Sequence, residues 1–430
     1  MKTAFEIVKL CAVAVGMAIT ISCNTILVSL FPFVGGAALF AALAIAGVAM
    51  GVVLLCFTEL ASKFPGAIGI RAFTKAAFGN RFSLSATLFY VVMVMLIGGL
   101  EVYLCHLMLV QLLPAPLAAL VLAALVLAIL AVNLSGYELS LRLQIGMTVA
   151  VAATMLLLAT LAFNAPALPP ALHVPAAPGA GGLFEAVPRA LFLFIGVEWA
   201  ILHVSRHESF KRTLPAALMI SVLMIALLYG VFGAALQTRF GAGALAGLAL
   251  PHLELARALN APAAIWLAAL VGLLAVLSSF NVGLSGAARI LYSLAREREI
   301  PSWFAQLHGD RLSPRNAMLF VAAGVLAMAP LMALPSLNAS LSMLFSVHLA
   351  AVYACVLLAW LQMRRRKDTR GTRQPVHALV VWPTLIFLAV IGVGVISEAG
   401  AHAARMILLG ECLALGATCA YLFRSAVIKT

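Results

Sequence analysis

Apolar runs of about twenty residues or more recur along almost the whole chain, from the first near residues 8–31 to the last near 403–423. A water-soluble domain cannot bury so many such runs at once. In lipid each run is long enough to cross the hydrocarbon as a helix, and a helix satisfies its own backbone there. Composition agrees: 64% of residues are hydrophobic, only 10% are charged, and mean hydropathy is +1.13. The chain therefore reads as an all-α polytopic membrane protein whose constant partner is the lipid bilayer. Twelve transmembrane helices are expected, at roughly 8–31, 38–62, 83–112, 115–134, 142–164, 184–205, 213–237, 261–294, 316–334, 338–362, 376–397 and 403–423. The runs at 83–112 and 261–294 exceed the length a bilayer needs and should tilt or project. The first run is too long for a signal-peptide core and lacks an obvious small-residue cleavage site, so it reads as the first span.

The net charge of +13 does not point to nucleic acid, because its distribution is topological. With the N-terminus placed inside, nearly all 27 Lys and Arg fall in inside segments; the exceptions are Arg189, Arg239, Arg257 and Arg405 outside, and Arg289 within the eighth span. That bias places both termini in the cytoplasm, with a bacterial inner membrane the expected location. The cluster RRRKDTRGTR at 364–373 suits anionic headgroups, but ordinary inside-positive usage explains it equally. The seven cysteines lie in apolar runs without paired or metal-type spacing, so neither a disulfide framework nor a metal site is expected. A zinc-protease His-Glu-x-x-His and a phosphate-binding Gly-x-x-x-x-Gly-Lys-Ser/Thr are both missing from the sequence. These features argue against an enzyme, against ATP as the driving force and against a cofactor.

Interruptions inside the spans carry the functional signal. Gly16, Thr20, Ser22, Cys23, Asn24 and Thr25 crowd the middle of span one, and Gly196 with Glu198 breaks span six. Two interrupted helices five spans apart are what an inverted-repeat transporter requires. Half-helix N-termini point positive charge at an anionic group, while freed carbonyls accept from an ammonium or a cation. An amino acid carries both charges side by side. Taken singly, the hydroxyls of span one equally suit helix packing and back-bonding to the preceding turn.

Several stretches resemble the amino acid–polyamine–organocation (APC) superfamily. They are TELASKFPGAIGIRAFTKAAFG (58–79), VNLSGYELSLRLQ (132–144), FIGVEWAILHVSRHESFKRTLPAAL (194–218) and LSSFNVGLSGAARILYSLAREREIPSWFAQLHGDRLSPRNA (277–317). The resemblance implies a LeuT-type fold of five plus five helices, with inverted repeats at 8–164 and 184–362 and peripheral helices at 376–423. It implies transport of an amino acid or related amine by alternating access, as a symporter or antiporter. Carried over, the amides for a substrate carboxylate lie at Ser22, Cys23 and Asn24, flanked by Ile21 and Thr25. The carbonyls for an amino group lie at Phe194, Ile195 and Gly196, and Phe192 falls at an aromatic gate. Two departures stand out. Ser22-Cys23-Asn24 replaces the family's Gly-Ser-Gly, and Val151 aligns where proton-coupled members can carry a lysine. Lysine coupling is thus not expected, which leaves exchange, another protonatable group, or sodium.

Glu198 is the best-placed acid, read either as a proton carrier coupling the core helices to the gate or as a structural acceptor for amides of the broken region. Glu101, after Gly98 and Gly99, suits a basic group on the substrate, or a pairing with His106 or another helix. His348 in span ten is a proton-relay candidate or a hydrogen-bonded core histidine. Ser278, Ser279 and Asn281 suit a sodium ion or simple packing. His203 and His207 share a helix face near the inner end of span six and read as interfacial or gating groups. Glu411, in span twelve, reads as structural or as a contact in a homodimer. Apolar walls at Ile21, Phe192, Phe194 and Trp199 favour a neutral substrate, whereas Glu101 and Glu198 keep a cationic amino acid or polyamine open. A sensor or scaffold that moves no solute is the reading of a different class.

Overall fold

The computed structural model describes residues 2–64, 69–166, 180–203, 210–240, 244, 248–307, 313–365 and 377–398. The expected span at 403–423, His207, Glu411 and most of the 364–373 basic cluster lie outside the described residues. The helices are α1 (Lys2–Ala18), α2 (Ile21–Val28), α3 (Ala37–Lys63), α4 (Gly69–Phe78), α5 (Asn80–Leu109), α6 (Ala115–Ser135) and α7 (Tyr137–Asn164). They continue as α8 (Ala180–Leu191), α9 (Phe210–Gln237), α10 (Pro251–Ala258), α11 (Pro262–Arg296), α12 (Arg315–Met328), α13 (Pro335–Arg365) and α14 (Ala378–Glu398). Short 3-10 segments follow α8 at Phe192–Phe194 and Val197–His203 and extend α12 at Ala329–Ala333.

Among the described residues nine helices are long and apolar enough to cross a membrane, counting Gly182–His203 as one. The pair α1 and α2 makes a tenth, bent by 65° at its break. The eleventh apolar run forms the shorter helix α14. The two long runs do exceed the bilayer requirement: α5 has 30 residues and α11 has 35.

Local sequence explains where these helices start. Prolines occupy the first turn of α6, α10 and α11, where no helical amide is lost. Gly79 before α5 and Gly136 before α7 take positive φ angles of 89° and 130°, allowing sharp reversals between long helices. The centre of the bundle is α11, which packs along α7, α5, α1 and α12, while α1 also packs on α9 and α7. Apolar side chains such as Leu120 and Leu127 on α6 and Leu223 and Leu227 on α9 point outward, as a lipid-facing surface requires.

A polar cluster holds one end of the bundle. There the buried Arg71 of α4 bonds Asn80 and both Glu297 (3.0 Å) and Glu299 (3.2 Å), and Lys75 also reaches Glu297 (3.0 Å). This clamp ties the start of α5 to the end of α11. Elsewhere α10, at 8 residues only about 12 Å long, is too short to span. It packs on α11 and α2. Its His252 is fully buried, and neither ring nitrogen has a hydrogen-bond partner among the described residues.

Burial lowers the His252 pKa to about 4. Its folded-state value is depressed, so the stability it contributes is complete above about pH 6.5 and is lost as pH falls toward 4. The expected slope from this one group is up to about 1.4 kcal/mol per pH unit. Thermal unfolding of the purified protein between pH 7 and 4 should show a smaller acid loss in His252→Leu than in wild type; equal slopes would contradict the assignment.

Candidate functional site

Both interrupted spans keep their breaks in the interior of the bundle. Between α1 and α2 the backbone opens at Ile19 and Thr20, two residues before the Ser22-Cys23-Asn24 stretch expected to unwind. The reason is local. Thr20 adopts an extended conformation (φ −129°, ψ 165°) and caps α2, its hydroxyl accepting the Cys23 amide at 3.3 Å. Ser22, Cys23 and Asn24 are therefore helical, and no glycine is needed among them. The amides left open by the break belong to Ile21 and Ser22.

Those two amides are taken by Glu101 of α5. Its Oε2 accepts from Ile21 N at 2.8 Å and its Oε1 from Ser22 N at 3.2 Å. The side chain is only 2% exposed. The two bonds satisfy the amides that the break leaves open at the start of α2. On the other side of the break, the Ala18 carbonyl accepts from Cys23 Sγ and from the Tyr229 hydroxyl, each at 3.3 Å.

Span six breaks at Ile195 and Gly196. Ile195 is extended (ψ 137°), and Gly196 has φ +100°, a region that side-chain-bearing residues avoid. A Cβ on Gly196 would lie 2.8 Å from Met17 Cγ and 3.3 Å from the Met17 backbone. The bare glycine thus lets the second break rest against the first. Glu198, 4% exposed, closes this break from within. Its Oε2 accepts from Gly196 N at 3.0 Å and from the Tyr353 hydroxyl at 2.9 Å, and its Oε1 from the Tyr90 hydroxyl at 2.8 Å. Tyr90 stacks on Trp199, with ring centroids 5.4 Å apart.

A cavity of about 80 Å³ lies where the two breaks meet. That is room for a few water molecules or a small organic group. Its walls include Ser22, Cys23, Phe192, Ile195, Gly196, Trp199, Gly98, Glu101, Glu198 and Ser279, all expected from sequence. Thr20, Tyr90 and Phe280 also line it, and among the described residues the walls contain two carboxylates and no basic side chain.

Six expected residues lie off these walls. Ile21 is buried and contributes its amide to Glu101. Asn24 is buried behind it, its Oδ1 without a hydrogen-bond partner among the described residues. Thr25 turns away to donate to the Ala249 carbonyl at 3.1 Å. Phe194 is fully buried, its ring facing Gly47 of α3. His348 packs on Phe89, ring centroids 4.0 Å apart. Gly98 and Gly99 also serve helix packing, since a Cβ on either would lie within 2.8 Å of Val325 or Met328 on α12.

Ser278 belongs to a separate polar network at the junction of α1, α7 and α11. Its hydroxyl donates to the Gly16 carbonyl at 3.0 Å and accepts from Gln144 Nε2 at 2.7 Å. Thr148 and Gln144 donate to the Ala12 carbonyl at 2.8 and 3.3 Å. Asn281 donates to Gln144 Oε1 at 2.9 Å and accepts from Asn133 at 2.7 Å. The polar groups of α7 that meet α1 here are Gln144 and Thr148, seven and three residues before Val151. Sequence reading missed Gln144, Tyr90 and Tyr353, although each is a polar side chain in an otherwise apolar run. His203 is engaged within the bundle, with the Trp199 carbonyl at 3.2 Å and the Ser285 hydroxyl at 3.0 Å.

Two substitutions test this geometry. Gly196→Ala forces a disfavoured φ, at a cost of about 1–3 kcal/mol, and clashes with Met17; a clear drop in melting temperature is expected. Glu198→Ala strips an acceptor from Tyr90, Tyr353 and the Gly196 amide, each a loss of about 1–3 kcal/mol if left unpaired. Thermal unfolding of both variants in detergent, unchanged from wild type, would remove the capping role.

Comparison with known proteins follows the same lines. The chain resembles Mhp1, a nucleobase-cation-symport-1 family transporter solved in a closed conformation with bromovinylhydantoin bound. The TM-score is 0.60 at 17% identity, covering 98% of this chain and 93% of that one. This likeness shows the fold. In sequence the chain is 25% identical over 218 residues to cationic amino acid transporter 6, chloroplastic, of Arabidopsis thaliana, covering 50% of this chain and 35% of that protein. It is 31% identical over 140 residues to the L-methionine/branched-chain amino acid exporter YjeH of Escherichia coli K12, covering 32% of each. The matches thus span about a third of the curated relatives' own lengths. The amino acid permease family model matches residues 5–409, and the chain belongs to that family of multi-pass membrane proteins.

Proposed function

We propose that this protein is a secondary transporter that moves an amino acid or related amine across a membrane by alternating access. The observation that carries it is the meeting of two broken helices at a buried, partly polar cavity. Broken helices are tolerated in lipid only where buried groups re-satisfy the backbone, as Glu101 and Glu198 do here, and in transporters such breaks at mid-bundle frame the ligand site. Family membership supports the same reading, and so do the relatives, named for transport of cationic amino acids and for export of methionine and branched-chain amino acids.

In this reading Ser22, Cys23, Phe192, Ile195, Gly196, Trp199, Gly98 and Glu101 surround the substrate. Glu198 links the break in span six to Tyr90 of α5 and Tyr353 of α13, so a change in its hydrogen bonds is felt by both helices. It is the coupling residue. The driving force is a proton gradient or exchange against internal solute. Ser278 and Asn281 are poorly suited to sodium, because the Ser278 hydroxyl is shared between Gly16 and Gln144 and Asn281 Oδ1 accepts from Asn133 and Ser140. The repeats at 8–164 and 184–362 are the units that move. The protein resides in a bacterial inner membrane with its N-terminus in the cytoplasm, following the basic-residue bias.

Liposomes carrying the purified protein test this directly. Labelled amino acids and amines are offered with an imposed proton gradient, a sodium gradient, or unlabelled solute trapped inside. Uptake is expected under the proton or trapped-solute condition. In Glu198→Gln it should fall at least about tenfold, with folding checked by thermal unfolding. No movement of any solute by folded, correctly oriented protein would favour a sensor or scaffold instead.

A further inference from the structure

At the break in span one, the two backbone amides that the break frees are those of Ile21 and Ser22, and both are already bonded to Glu101 at 2.8 and 3.2 Å. The third amide of that turn, Cys23 N, is taken by Thr20. Among the described residues the cavity walls contain no basic side chain. A substrate carboxylate entering this cavity would therefore find its amides filled and two carboxylates facing it. At close range in a poorly solvated site, like charges repel strongly. An ammonium meets the opposite situation. Glu101 accepts one backbone bond on each oxygen and is also bonded by the hydroxyls of Ser22 and Thr20, each of which can rotate to accept from an ammonium in turn. The hydroxyls of Thr20 and Ser22 stand beside it, 2.9 Å apart. Phe192, Trp199 and Phe280 supply aromatic surface, which a cation favours.

We propose that Glu101 is the specificity-determining residue of this site: it supplies from within the protein the carboxylate that fills the break in span one, so the site reads the ammonium end of its ligand and does not require a free carboxylate. The ligand class is a primary amine, with or without a carboxyl group. This inference rests on the transport reading above and narrows it. It also gives the two breaks a common design, each closed by a glutamate of the chain itself.

The test uses matched pairs differing only by the α-carboxyl: lysine and cadaverine, leucine and 3-methylbutylamine, methionine and 3-(methylthio)propylamine. Binding of each to the full-length protein in nanodiscs is measured by calorimetry. In every pair that binds, the amine is expected to bind within about threefold of its amino acid, or more tightly. An amine weaker by about thirtyfold or more in each binding pair would overturn the inference and leave the transport reading standing. Failure of every member to bind folded protein would count against both. The Glu101→Gln variant, which removes the charge and one acceptor, should shift the amino acid-to-amine affinity ratio at least about tenfold toward the amino acid. That ratio does not depend on the fraction folded, and an unchanged ratio would also overturn the inference.

Discussion

In a bilayer an interrupted helix exposes amides and carbonyls that water cannot reach, and each left unpaired costs several kcal/mol. Everything at the centre of this molecule follows from how it meets that requirement twice. In span one a glutamate from a neighbouring helix reaches across to Ile21 and Ser22. In span six the glutamate lies two residues past the break and turns back onto Gly196. Both devices are carboxylates on amides, among the stronger hydrogen bonds available to a protein. They allow the backbone to open without water, and the cavity forms in the space so released.

The two closures differ in what else they touch. Glu101 is shared between the break and the cavity wall. Glu198 is bound to Tyr90 and Tyr353 as well as to its own backbone, so it connects three elements. Gly196 makes the two breaks one site, because any side chain there would push against Met17. The separate network through Gln144, Ser278 and Asn281 fixes α1 to α7 and α11 on one side of the break, while Glu101 and Thr25 tie α2 to α5 and to the Ala249 carbonyl on the other.

At Ser22-Cys23-Asn24 the chain has none of the family's glycines, so unwinding at those residues would be costly. The backbone instead opens earlier, at Ile19 and Thr20, because Thr20 can cap a helix and a serine-cysteine-asparagine turn can remain helical. A capping threonine was visible in the sequence. That it would be chosen over the next residues depended on Glu101 arriving opposite Ile21 and Ser22.

The sequence by itself determined the class of molecule. Runs of apolar residues cannot fold in water, so their number and length settle a helical membrane bundle, and a glycine beside a buried glutamate in such a run marks a break. These are properties of single segments and their solvent. The tertiary structure alone decided what each polar side chain meets. Glu101 and Ile21 are eighty residues apart, and Glu198 and Tyr353 more than a hundred and fifty, and no local pattern encodes which of several buried acids faces an amide, a hydroxyl or a cavity. The same holds for Ser278, Phe194 and Thr25, whose residue types suit a binding site but whose helix faces turn to Gln144, Gly47 and Ala249. In hydrocarbon the helix itself is cheap to specify, while the pairing of its few polar groups is a long-range choice made only when the helices pack.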